Sequence, residues 1–98
     1  MRFQRKDRNH AELRAQCAKL GISWTNLVKD GGEAEGKPDA LLGWRGRNVL
    51  IEVKAPGGKL RPGQRKWRDG WRGDPPSRVE TIQEILTLFD TGPPPGHH

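Results

Sequence analysis

Two short apolar runs with acids at their facing ends constrain this chain more than any other feature. Pro38-Asp39 opens the first, Ala40-Leu41-Leu42, and the second, Val49-Leu50-Ile51, runs directly into Glu52-Val53-Lys54. The segment between, Trp44-Arg45-Gly46-Arg47, is turn-like, with a glycine free to take positive φ. Successive strand side chains point to opposite faces, so Glu52 and Lys54 project from the same side. If the hairpin centres between Arg45 and Gly46, Asp39 lies opposite Glu52, and two carboxylates share one face with an ammonium two residues further on. An odd-length loop would shift the register by one and weaken the alignment without abolishing the proximity. Such a group binds a divalent metal and sets a cation beside a water or phosphate oxygen.

Ninety-eight residues make one domain, read here as residues 1–91, followed by a disordered tail over 92–98. The tail, Pro93-Pro94-Pro95-Gly96-His97-His98, ends in two histidines that read equally as the remains of a tag, so they enter no metal site. Only 32% of the residues are hydrophobic, against 13 glycines and 8 prolines, so the core must be small. A domain of this size sits near the stability margin, and self-association is one remedy.

The net charge of +6 and a pI near 10.1 favour a polyanionic partner over a merely solvated basic surface, because the charge is concentrated. Lys59, Arg61, Arg65, Lys66, Arg68 and Arg72 fall in one short stretch opposed only by Asp69, and Arg2, Arg5, Lys6 and Arg8 form a second cluster. Cys17 is the only cysteine, which excludes an intrachain disulfide and disfavours a cysteine-based zinc site. No apolar stretch approaches membrane-spanning length and the charged start lacks a signal-peptide h-region, so a soluble, cytoplasmic protein is expected.

Periodicity gives the order α-β-β-β-α-β-α, a small mixed sheet flanked by helices in the α/β class. A helix is predicted over Asp7 to Leu20, with Asp7 or Asn9 as N-cap, a stripe of Leu13, Cys17 and Leu20, and Gly21 as its stop. Strands follow at Ile22 to Val28, Asp39 to Trp44 and Asn48 to Ala55, with the polar loop Lys29 to Lys37 expected to lie over the site. Pro62 suits the first turn of a helix reaching about Arg72. Ser77 to Thr81 gives a fourth strand, and a last helix from Ile82 to Asp90 presents Ile82, Ile85, Leu86 and Phe89 on one face.

Pro38-Asp39, the spacer, and Glu52-Val53-Lys54 resemble the signature of the PD-(D/E)xK nuclease superfamily. The run Lys59-Leu60-Arg61-Pro62-Gly63-Gln64-Arg65-Lys66-Trp67 narrows the resemblance to the VRR-Nuc family, small domains similar to archaeal Holliday-junction resolvases, in which a glutamine follows the lysine strand at the head of a helix. The likeness covers Glu12 to Phe89 in the expected order. It implies a restriction-endonuclease-like fold and divalent-metal-dependent endonuclease activity on DNA, leaving a 5′-phosphate and a 3′-hydroxyl. It further implies that Asp39, Glu52 and the Val53 carbonyl ligate Mg²⁺ or Mn²⁺, while Lys54 activates water and stabilises charge developing on phosphorus. Branched DNA or a Holliday junction as substrate, and a homodimer to cut it, also rest on the resemblance, and Lys59, Arg61, Arg65, Lys66, Arg68 and Arg72 would hold the DNA.

Each candidate has a plainer alternative. Asp39 after Pro38 is also a common turn residue, and Glu52 and Lys54 would be unremarkable on an edge strand. Val49, Ile51 and Val53 make one face apolar while Leu50 sits with Glu52 and Lys54, which argues for a central strand whose charged end lies in a cleft. Gln64 matches the family glutamine but also suits an ordinary helix surface. Glu12 is a candidate fourth ligand against the plainer reading of an exposed helix glutamate, and His10 is weaker still. Trp67 and Trp71 share a helix face, with core or dimer packing set against base stacking. The rivals to a nuclease are a non-catalytic basic nucleic-acid-binding module and an interaction protein on a decayed nuclease fold.

Overall fold

The structure, a computed structural model, describes residues 5–28 and 36–91. Most of the loop expected over the site, the proline-rich tail and Arg2 lie outside the described residues. The elements run α1 (Arg5–Leu20), β1 (Ser23–Asn26), β2 (Ala40–Trp44), β3 (Arg47–Val53), α2 (Pro62–Gly70), β4 (Ser77–Val79) and α3 (Ile82–Thr91), the predicted order.

The sheet has the order β1-β2-β3-β4. The first two pairings are antiparallel, β2 and β3 being joined by a two-residue turn, while β3 and β4 are parallel and need the crossover that α2 provides. The β2–β3 turn is Arg45-Gly46, with φ of 52° and 74°, the pair of left-handed residues that matches strand twist in a two-residue hairpin. Arg45 tolerates that backbone with its guanidinium 4.0 Å over the Trp44 ring and an exposed 3.3 Å ion pair to Asp90. This turn pairs Trp44 with Arg47 and Ala40 with Ile51. The hairpin is therefore centred between Arg45 and Gly46, and Asp39 stands opposite Glu52.

One sheet face carries Ala40, Leu42, Ile51, Val53 and Val79 against Leu13 and Cys17 of α1 and Ile85 and Phe89 of α3. Trp44 meets Phe89 edge-on, ring centroids 5.6 Å apart. Burying each Leu, Ile or Phe contributes about 1.5–3 kcal/mol, so these few residues dominate the fold's stability. The Cys17 thiol sits among them, and burial pushes its pKa up.

Several boundaries differ from expectation. The first helix begins at Arg5, which puts Asn9 inside it rather than at its cap. Leu20 is 46% exposed, because the helix ends there and Ile22 takes the core place instead. Gly21 at φ 80° makes the exit, with Gly21 N–H donating to Ala18 and Ile22 N–H to Cys17. The α3 stripe puts Ile85 and Phe89 into the protein's own core. That helix starts with a reciprocal cap, as Glu84 N–H donates to the Thr81 hydroxyl and Thr81 N–H to Glu84 Oε1.

Candidate active site

The second sheet face is polar at one end, where β2 begins and β3 finishes. Backbone pairing runs one step past β2, with Asp39 N–H donating to the Ile51 carbonyl at 3.0 Å. There Pro38 brings the chain in and the Asp39 carboxylate takes over as acceptor, receiving the Val53 N–H on Oδ2 at 2.8 Å. That bond holds the Asp39 carboxylate against β3.

Glu52 lies on the same face and Lys54 two residues beyond, and both are buried, at 3% and 5% exposure. β3 is central, flanked by β2 and β4, as one apolar face and Leu50 on the other implied. Gln64, in the first turn of α2, is buried to 5% and donates from Nε2 to Glu52 Oε1 at 2.8 Å. Its own Oε1 accepts the Arg61 N–H at 2.8 Å, which otherwise would be an unpaired donor at the helix start. One glutamine thus caps α2 and clamps Glu52.

Sequence reasoning missed three parts of this arrangement. Asn9 reaches across from α1 and donates to the carbonyls of Lys54, at 2.8 Å, and Glu80, at 3.1 Å, joining the ends of β3 and β4 behind the site. Arg78, the register partner of Glu52 on β4, donates to the Gly58 carbonyl and forms a 2.6 Å ion pair with Glu80, holding the turn that leads to α2. Gly36, at φ 72°, is buried so closely against Gly63 that a Cβ would strike the Gly63 carbonyl. An Asn aligned with the helix stripe was the one usable signal, and it points equally to a cap.

Glu12 is exposed on α1 and His10 hydrogen-bonds Asn26 at 3.3 Å, so neither is brought to the acids. Among the described residues, no three His, Cys, Asp or Glu side chains converge. Two buried carboxylates nevertheless suit Mg²⁺, which keeps several waters and binds through one or two carboxylates. Among the described residues no buried side-chain nitrogen or oxygen lacks a hydrogen-bond partner, so the buried polar atoms of the group are satisfied.

Lys59, Arg61, Arg65, Lys66 and Arg72 are exposed and Arg68 is half-buried, all on the connection that carries α2. Trp67 and Trp71, expected in core or interface, join no core cluster and stack on each other.

An Asp at a hairpin mouth, a Glu-Val-Lys on the central strand and a crossover helix to a parallel fourth strand are arranged as the sequence resemblance implies. A solved structure described as a VRR_NUC domain matches with a TM-score of 0.67 at 23% identity, over 90% of this chain and 97% of that one. The fold is that of the VRR-Nuc domain. No family model matches the chain, and no curated protein does. No helix among the described residues is long and apolar enough to cross a membrane.

Proposed function

We propose that this chain is a divalent-metal-dependent endonuclease that hydrolyses DNA phosphodiester bonds, selects branched DNA and works as a homodimer. The observation that carries the reading is the burial together of Asp39, Glu52, Lys54 and Gln64 at one end of the sheet. Charged side chains are almost never fully buried unless they are paired, and burying them is costly, so a fold keeps them for chemistry more readily than for stability.

Asp39, Glu52 and the Val53 carbonyl would hold Mg²⁺ or Mn²⁺, which when bound neutralises phosphate charge and supplies a hydroxide near neutral pH. The chain's own groups do the rest. The Val53 N–H and the Gln64 amide fix the two carboxylates in orientation. The Lys54 ammonium orients the attacking water and offsets the negative charge that grows on the phosphoryl oxygens. Lys59, Arg61, Arg65, Lys66, Arg68 and Arg72 grip the backbone beside the scissile bond. Hydrolysis leaves a 5′-phosphate and a 3′-hydroxyl. A junction needs two symmetric cuts and each chain has one such group, which a C₂ dimer supplies.

A basic module that only binds nucleic acid explains the charge but not the two buried carboxylates, which repel phosphate. Incubation with an end-labelled four-way junction and a linear duplex, in Mg²⁺, Mn²⁺ or EDTA, tests the reading. Junction cleavage in metal that EDTA suppresses is the expected result. Retarded junction with no cut product in either metal would overturn the enzyme in favour of the binding module.

A further inference from the structure

Trp67 and Trp71 stack face to face at the far end of α2, with ring centroids 4.7 Å apart and planes inclined by 14°. Neither ring joins the core, and Trp71 is 48% exposed. A large apolar ring left half in water forgoes hydrophobic stabilisation that covering it would provide. The chain leaving the helix also braces it, since Gly73 lies so close to Trp71 that a Cβ would come within 3.0 Å of the indole Nε1.

Two observations say what covers the rings. The pair continues the helix face of Gln64, at i+3 and i+7, and Gln64 is the residue bonded to Glu52. At 1.5 Å rise per residue the two positions lie roughly 5 and 10 Å along the helix from it, about one and three nucleotide steps. The residues around them in the sequence include Arg65, Lys66, Arg68 and Arg72, against Asp69 and Asp74. A second copy of the chain docking here about a two-fold axis would set those four cations against their own counterparts. A polyanion carrying flat aromatic groups meets both the charge and the rings.

We propose that Trp67 and Trp71 form a stacking platform for an unpaired nucleobase of the DNA strand held by the basic segment. This rests on DNA being the partner, as proposed above. Paired bases hide their faces inside the duplex, so the platform recognises bases released at a branch, a flap or a single-stranded end, and it supplies the selection for branched DNA that the metal-binding acids cannot.

The test is fluorescence anisotropy of the full chain in EDTA, with a labelled thymidine oligonucleotide and a labelled duplex of equal length. Trp71→Leu should weaken oligonucleotide binding about tenfold while duplex affinity holds, and Trp71→Phe, which keeps a π face, should restore most of the loss. Equal loss on both probes, no loss on either, or failure of phenylalanine to restore binding would overturn the platform. So would light scattering in which Trp71→Leu splits a wild-type dimer, since the pair would then be a protein interface. No metal or turnover enters the assay. A chain that shows this discrimination but never cuts therefore loses the nuclease reading alone, and one that cuts without it loses the platform alone.

Discussion

Gln64 donates from Nε2 to Glu52 Oε1 at 2.8 Å while its Oε1 accepts the Arg61 N–H, so one side chain couples the start of α2 to the acid on β3. Gln64→Leu removes both bonds at a position of similar volume. It should cost about 1–3 kcal/mol of stability, from a buried carboxylate that loses one donor, and should lower cleavage as Glu52 loses part of what orients it. Thermal unfolding and single-turnover cleavage read the two effects. An unchanged melting temperature with full activity would return Gln64 to an ordinary helix residue.

Asp39 does two jobs that substitution can separate. Asp39→Asn retains an oxygen for the Val53 N–H and loses only the charge, so the protein should fold normally, bind DNA as well or better, and fail to cut. Glu52→Gln should behave likewise. Asp39→Ala leaves the Val53 N–H buried without that acceptor and should also destabilise by about 1–3 kcal/mol. Near-normal metal-dependent cleavage by the asparagine variant would remove Asp39 from the site.

Lys54→Ala should divide binding from chemistry. Both carboxylates remain, so calorimetry should still detect Mn²⁺, whereas the rate should fall on the order of 10²-fold through loss of a transition-state contact. Loss of Mn²⁺ binding would mean that Lys54 organises the acids structurally.

Changing Arg65, Lys66 and Arg68 together to glutamine should weaken DNA binding and reduce the log–log salt slope by roughly two to three units. The fold should be unaffected, because Arg65 and Lys66 are exposed and Arg68 contacts only its neighbour Asp69 among the ion pairs described. An unaltered slope would move the DNA surface to the basic N-terminus.

Gly36→Ala tests how the segment before the site is seated. The position needs φ 72°, and a Cβ would collide with the Gly63 carbonyl at the start of α2. The helix start should shift and carry Gln64 with it, lowering both melting temperature and cleavage. Wild-type values for both would show that this close approach does not matter.

The hairpin was legible because every local signal agreed. Arg45-Gly46 favours a two-residue turn, the apolar residues alternate, and the two together set the register that faces Asp39 with Glu52. The stop at Gly21, Pro62 at a helix start and the α3 stripe are likewise local, resting on backbone preference and period. Leu20 failed the same test because a stripe of three cannot tell whether its last member or the residue past the turn reaches the core.

Sequence alone determined the element order and the concentration of positive charge, and it made the facing of the acids depend on a turn centred between Arg45 and Gly46, since each rests on neighbours in the chain or on turn chemistry. Tertiary structure decided what those residues touch. Asn9 meets the Lys54 carbonyl across 45 positions, Gln64 turns to Glu52 rather than to Lys54 or solvent, Glu12 stays in water, and the Trp67–Trp71 pair is left outside the core. Such contacts follow from how helices dock on the sheet, and a helix's rotation about its own axis is fixed by packing that no short stretch of sequence encodes.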